Sequence, residues 1–311
     1  MGLNPILALQ TALGVLTVVF IGGWSWAIMA IRGAAGRAVA SPATDAGAPN
    51  GIQVAIGAVT NFFDTLGIGS FATTTAIFRA LRIVPDRFIP GTLNVGHTLP
   101  TVVQAAIYTK IIPVDVLTLF AMIAAAVLGA WLGAGVVSAW PKQKVQIGMG
   151  AALLGAALLM FMTQMSMFPG GGEALGVRGA KLVIAVGVNF LLGALMSLGI
   201  GLYAPCMILV SLLGMNPKLA FPIMMGSCAF LMPVGSLRFI REQCYGLRAA
   251  LGLAIGGIPG VLLAAFIVKS MPIYAVRWLV IVVVIYTAVT MLKAGLSGEP
   301  VVSGKAAKAE L

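Results

Sequence analysis

The chain has 311 residues, 60% of them hydrophobic and only 9% charged, and its mean hydropathy is +1.07. An ordinary soluble domain is about half apolar and about a quarter charged, so this composition excludes a soluble globular enzyme, a disordered chain and a nucleic-acid-binding module. It indicates a polytopic helical membrane protein rather than an outer-membrane barrel, whose short strands alternate in hydrophobicity. The net charge of +11 is spread mostly between apolar runs, where it sets topology.

The first apolar run begins near Ile6 and lasts to about Ile31, with no Lys or Arg before it. A cleaved signal has a basic start and a shorter apolar core. The run therefore reads as a retained transmembrane helix. Residues 32–50 are rich in Ala, Gly, Pro and small polar residues and form a linker. Apolar segments follow at 51–82, 88–109, 115–140, 145–168, 180–213, 219–241, 247–270 and 274–295. The chain thus divides into an N-terminal helix and linker (1–50), a first unit (51–168), a linker (169–179), a second unit (180–295) and a tail (296–311).

The two units repeat. Leu66-Gly67-Ile68-Gly69 recurs as Leu198-Gly199-Ile200-Gly201 at an offset of 132. The same offset pairs Ala72 with Ala204, Pro85 with Pro217, Pro90 with Pro222 and Leu99 with Leu231. Repeats of this kind are typical of secondary transporters. The segments 51–82 and 182–213 are too long for simple crossings: as straight helices each would run about 48 Å, against a hydrocarbon core of about 30 Å. Each carries Gly-Ile-Gly near its middle, and glycine breaks helices and permits tight reversals. Re-entrant hairpins are expected, with broken crossing helices as the alternative. If both segments re-enter, thirteen of the 19 Lys and Arg fall on one side, and Lys110, Arg178, Lys181, Lys218, Lys269 and Arg277 on the other. If both cross, the split is only eleven to eight, so the positive-inside rule favours re-entry. The expected fold is an all-α polytopic membrane protein of two inverted repeats. Each repeat has a broken or re-entrant helix pair plus three transmembrane helices, and one extra N-terminal helix precedes them.

Candidate site residues cluster at the breaks. A broken helix exposes backbone N–H groups at the start of its second limb, and these attract anions together with the helix dipole. Gly67 and Gly69 are followed by Ser70, Thr73 and Thr74, whose hydroxyls could supplement those groups; in the second unit Gly199 and Gly201 are followed by Tyr203, Pro205 and Cys206. Close helix packing is the other reading of the small residues. Asn94, His97, Thr98 and Thr101 fall at i, i+3, i+4 and i+7 of one apolar segment and so share a face. That face meets either a ligand or another helix. The 132 offset sets Gly226, Ala229 and Phe230 against Asn94, His97 and Thr98, so the polar side of the site belongs to the first unit. His97, the single histidine, suits either proton coupling or a neutral structural role. Asp64 is the one carboxylate well inside an apolar run. It could carry a proton, cap a half-helix or pair with an arginine.

Other features carry less chemistry. Cys206, Cys228 and Cys244 show neither metal spacing nor a disulfide framework. The 16 methionines, including Met160, Met162, Met165 and Met167, suit helix packing rather than a metal path. Arg79, Arg82, Arg238 and Arg241 end apolar segments, as snorkelling residues do. No cofactor motif and no nucleotide-binding motif is expected.

The glycine break, the polar segment after it and their repetition resemble the sulfite exporter TauE/SafE family, also called the toluene-sulfonate uptake permease family. The resemblance covers roughly residues 51–295 and rests on Gly67-Ile-Gly69-Ser70-Phe-Ala-Thr73 and Gly199-Ile-Gly201-Leu-Tyr-Ala-Pro205. Ser70 and Leu202 stand where members carry further glycines, and Thr73 where they carry proline. The resemblance implies a multi-pass permease of the bacterial inner membrane for sulfite, sulfonates or related organosulfur anions. The lipid bilayer and the anion are the expected partners, a homodimer is left open, and the C-terminus is expected in the cytoplasm. The reading is a secondary transporter of small anions. Its rivals are an anion channel and an intramembrane enzyme acting on a lipid phosphate; the latter finds no paired carboxylates here.

Overall fold

The computed structural model describes residues 4–33, 47–137, 142–165, 172–196 and 202–297. Eleven α-helices account for most of them: α1 (Pro5–Gly33), α2 (Gly51–Thr65), α3 (Ser70–Leu81), α4 (Ile89–Ile111), α5 (Val116–Val137), α6 (Lys142–Gln164), α7 (Ala180–Met196), α8 (Tyr203–Leu212), α9 (Ala220–Arg241), α10 (Leu247–Ser270) and α11 (Ile273–Leu296). Short 3₁₀ turns at 86–88 and 217–219 precede α4 and α9. Among the described residues there is no β-strand, only one isolated bridge between Ala174 and Met215. Four helical stretches, Pro5–Ala30, Pro217–Arg241, Leu247–Val268 and Tyr274–Leu296, are long and apolar enough to cross a membrane.

Polarity runs from outside to inside in the sense that lipid requires. Trp131, Val183, Phe266 and Val282 lie exposed on the periphery, whereas Asn61, Asp64, His97, Gln104, Asn189 and Ser236 are buried. In water this distribution would be unfavourable on both counts; in a bilayer it is the expected one. The protein is an all-α membrane protein.

The first long segment is broken where glycine allows it. α2 starts in a capping box: the Asn50 side chain accepts from Gln53 N–H, and Gln53 Oε1 accepts from Asn50 N–H. It stops at Thr65 in a Schellman turn, with Gly67 N–H donating to Asp64 O and Ile68 N–H to Phe63 O. Gly67 has φ +96° and Gly69 φ +83°, a region that costs an L-residue about 1–2 kcal/mol. The chain then restarts as α3.

Polar contacts at the ends of the bundle show where each broken pair begins and ends. Arg248 Nε, at the start of α10, donates to Ala48 O just before α2. Gly246 N–H, one residue before α10, donates to Thr92 Oγ1 in the first turn of α4. The start of α2 and the corner between α3 and α4 therefore both lie at the N-terminal end of α10. At the far end of α10, Lys218 Nζ donates to Met271 O. There Lys181 Nζ, at the start of α7, donates to Leu213 O at the end of α8. The 24 residues of α10 separate these two ends by about 36 Å. The pair α2–α3 is thus a hairpin from one end, and α7–α8 a hairpin from the other.

Glycine shape seats the first hairpin. α2 packs most extensively on α10, and α7 on α5. A Cβ at Gly256 or Gly260 would run into the backbone of Val54 or Ala58 on α2, and one at Gly193 into Ala126 on α5. In lipid, where no hydrophobic effect drives helices together, such close backbone approach is a main source of association. α4 and α9 form the central pair between the hairpins, and α6 packs on α11. α1 leans on α9 and α4, with Gln10 Nε2 donating to Ala106 O and Thr109 Oγ1.

Candidate functional site

The hairpin tips meet at a buried polar cluster. Asp64, in the last turn of α2, turns its carboxylate across the break. Its Oδ1 accepts from Ser70 N–H at 2.5 Å, which caps the start of α3. Its Oδ2 accepts from Gln104 Nε2 of α4 at 2.9 Å. The same amide donates to Thr65 Oγ1 at 2.9 Å. Tyr203, the first residue of α8, reaches in from the other hairpin. Its hydroxyl lies 3.3 Å from Asp64 Oδ2 and 3.2 Å from Gln104 Oε1, and its single proton serves one of them at a time. All these hydrogen-bond partners of Asp64 are neutral.

A second cluster lies beside the first. His97 Nδ1 is 3.1 Å from Asn61 Oδ1, and its Nε2 is 3.1 Å from Thr74 Oγ1. Asn61 Nδ2 donates to Gly57 O at 2.8 Å, which fixes the amide so that its oxygen faces the ring. Nδ1 therefore carries a hydrogen, and in the neutral imidazole Nε2 accepts from Thr74 Oγ1. Asn61, Asp64 and Thr65 sit at i, i+3 and i+4 of α2, all buried, and hold one polar face against α3, α4 and α8.

The structure brings together Asp64, Ser70 and Tyr203 of the expected residues, and joins His97 to Thr74. Gly67 and Gly69 form the turn; a Cβ at Gly67 would collide with Met207 Sδ of α8, while one at Gly69 would meet nothing within 4 Å. Thr73 is turned back on its own helix, its hydroxyl donating to Ser70 O at 2.9 Å. Asn94 likewise donates to Pro90 O. Thr98 leaves the His97 cluster and pairs with Ser236 of α9 at 2.9 Å. The shared α4 face is thus split between two neighbours. Pro205 and Cys206 are buried in the apolar core of α8, and Gly199 and Gly201 lie outside the described residues. Gln104 and Asn61 are the additions that the sequence reading did not place in the site. The helical spacing that singled out the α4 face, applied to α2, would have found Asn61.

The second unit carries a plainer counterpart. Asn189 Nδ2 of α7 donates to Met122 O at 2.6 Å, and Ser227 Oγ of α9 is 3.4 Å away. Its Oδ1 is buried without a partner. Cys228 Sγ points at Met196 Sδ, 3.7 Å away. Far from both clusters, at the hairpin-bearing end of the second unit, Arg178 grips Asp115 with both nitrogens. That guanidinium holds the Asp115 carboxyl well below the usual carboxylate range. Among the described residues no group of His, Cys, Asp and Glu could hold a metal ion.

The fold and the cluster define a helical membrane protein whose polar chemistry is gathered where two opposed hairpins touch. Comparison with protein-family models, curated proteins and solved structures gives no match.

Proposed function

We propose that the protein is a secondary transporter of small anions, working by alternating access around the hairpin tips. The observation that carries this reading is the meeting of two hairpins from opposite ends at a buried polar cluster, with Tyr203 of one touching Asp64 of the other. Discontinuous helices with their breaks near the bilayer midplane are a recurring way to build a substrate site. The starts of α3 and α8 both lie at these breaks, and helix starts favour negative charge.

The element order supports two inverted repeats after α1: hairpin, 3₁₀ turn and three helices, twice. Each hairpin packs on a helix of the other unit, α2 on α10 and α7 on α5. Rocking one unit against the other would therefore move both tips. Sulfur oxyanions and organosulfonates are the substrate class, on the strength of the resemblance to the TauE/SafE family. The setting is the bacterial inner membrane. Arg79, Arg82, Arg87, Arg238, Arg241 and Arg248 gather at the end from which the first hairpin starts, and the positive-inside rule makes that end, with the end of α11, cytoplasmic.

The test is flux through purified protein in liposomes, with sulfite, thiosulfate, isethionate and an aromatic sulfonate against acetate and phosphate. Saturable uptake of a sulfur anion and not of acetate is expected. Single-channel currents would replace the carrier by a channel, and no flux of any anion would overturn the reading.

A further inference from the structure

We propose that Asp64 binds a proton during transport and that its charge state decides whether the first hairpin accepts an anion, so that proton and anion cross together. This rests on the transporter reading above.

The cluster is rich in donors. Ser70 N–H, the Gln104 amide and the Tyr203 hydroxyl all direct hydrogens at or beside one carboxylate. Tyr108 lies one turn beyond Gln104 on the same face of α4, its ring stacked on Phe221. Its hydroxyl is buried and has no partner among the described residues. A donor is therefore left over beside a set that is otherwise matched. Among the described residues, a Cβ at Gly69 would also meet nothing within 4 Å.

An ionised Asp64 does here what a bound anion would do. It takes the first N–H of α3 and offsets the positive end of that helix. An anion arriving beside it would meet like charge in a medium that screens poorly. Adding a proton to a carboxylate oxygen changes both conditions. The charge disappears, and the carboxyl becomes a donor, with Gln104 Oε1 and Tyr203 Oη as the acceptors in reach. Oδ1 remains the acceptor of Ser70 N–H, while the Gln104 hydrogen that Oδ2 held and the Tyr108 hydroxyl are then free for an anion's oxygens. Proton and anion thus favour each other's binding by the same factor.

Other titratable groups near Asp64 are Tyr203 on α8 and Cys228 on α9, both of which sense its charge. On α4, His97 is engaged by Asn61 and Thr74. The α10 residues that meet α2 include Gly252, Leu253, Gly256, Gly257 and Gly260, none of them titratable.

The test uses the full chain in liposomes with isethionate as probe, because a sulfonate stays ionised and any pH dependence belongs to the protein. Affinity is expected to rise by up to about tenfold per pH unit of acidification above the Asp64 titration, and an inward proton gradient to drive accumulation. Asp64→Asn should make affinity independent of pH. It should lower accumulation to no more than the level of equal concentrations. Tyr108→Phe should weaken binding without lowering the melting temperature. A readout free of substrate is infrared difference spectroscopy: acidification should raise a carboxyl band that is absent in Asp64→Asn. Tyr203→Phe should shift that band, which serves if Asp64→Asn does not fold. Accumulation that persists in Asp64→Asn, accumulation driven by sodium instead of protons, or the lack of the band overturns the proposal. Failure of isethionate and every other anion of the panel to move in the wild type removes the transport reading itself, whereas a missing band with one of those sulfur anions moving removes only the proton site.

Discussion

The two hairpins share a backbone plan and differ in chemistry. The α2–α3 tip carries a carboxylate, hydroxyls and amides; among the described residues the α7–α8 tip offers apolar and sulfur-bearing side chains and one tyrosine. At the repeat offset Asp64 faces Met196, Thr74 faces Cys206 and Thr73 faces Pro205. Where His97 links Asn61 and Thr74 in the first unit, the second has Cys228 against Met196. The geometry has been kept twice and the polar chemistry once. One carboxylate in the bilayer is already costly, and a matching one across the tip would add like-charge repulsion at short range. The second hairpin instead supplies Tyr203, a neutral group that reads the charge of the first.

Substitutions in the two units turn this comparison into measurements. The largest effects are expected where each hairpin is seated. Gly256→Ile and Gly193→Ile both force a side chain into the backbone of the facing helix. Each should cost about 3 kcal/mol or more, read as loss of monodisperse protein on size exclusion. Equal damage from both would show that the units are mechanically alike.

The polar clusters should then separate them. Asn61→Ala leaves the His97 N–H and its fixed orientation without a partner and should cost about 1–3 kcal/mol. Asn189→Ala removes a side chain whose oxygen has no partner already, and should cost about 1 kcal/mol or less. Melting curves of the two variants side by side decide it; a larger loss in Asn189→Ala would dissolve the contrast. Smaller still, Tyr203→Phe gives up one shared hydrogen bond between the tips, about 0.6 kcal/mol by the average for such bonds in membranes.

The smallest effect concerns pH and lies outside both tips. Asp115 has its folded-state ionisation lowered by Arg178. Such a group stabilises the fold above its unfolded-state titration and loses that contribution as pH falls through the folded one. Wild type should therefore lose a little stability on strong acidification that Asp115→Asn lacks throughout. The Arg178 side of the pair is largely exposed, so the difference should be slight and should shrink further in salt. Parallel thermal denaturation of the two proteins across acid pH measures it.

Much of the architecture was legible without coordinates. The first helix, expected from Ile6 to Ile31, is Pro5–Gly33. The first glycine-bearing segment is split near its middle into α2 and α3, as its length required. The site was legible only in part. Asp64 and Tyr203 were singled out, yet nothing local joins residues 139 positions apart. Gln104, 40 positions from Asp64, was one polar residue among several in its helix. The α4 face was read as a unit, but His97 turns to α2 and α3 while Thr98 turns to α9. Spacing gives the angle of a side chain about its own helix, and a face wide enough to hold both can meet two neighbours.

The sequence by itself determined the solvent of this protein, the number and length of its apolar segments and the places where they break. Those properties follow from composition and from glycine's backbone freedom, which act within a few residues. Tertiary structure decided which end each hairpin starts from, which helix seats it and which polar groups meet at the tips. In a bilayer these choices rest on the fit of small residues against a facing backbone and on the need of every buried polar group for a partner. Both are properties of pairs of surfaces far apart in the chain, and neither exists until the helices are side by side.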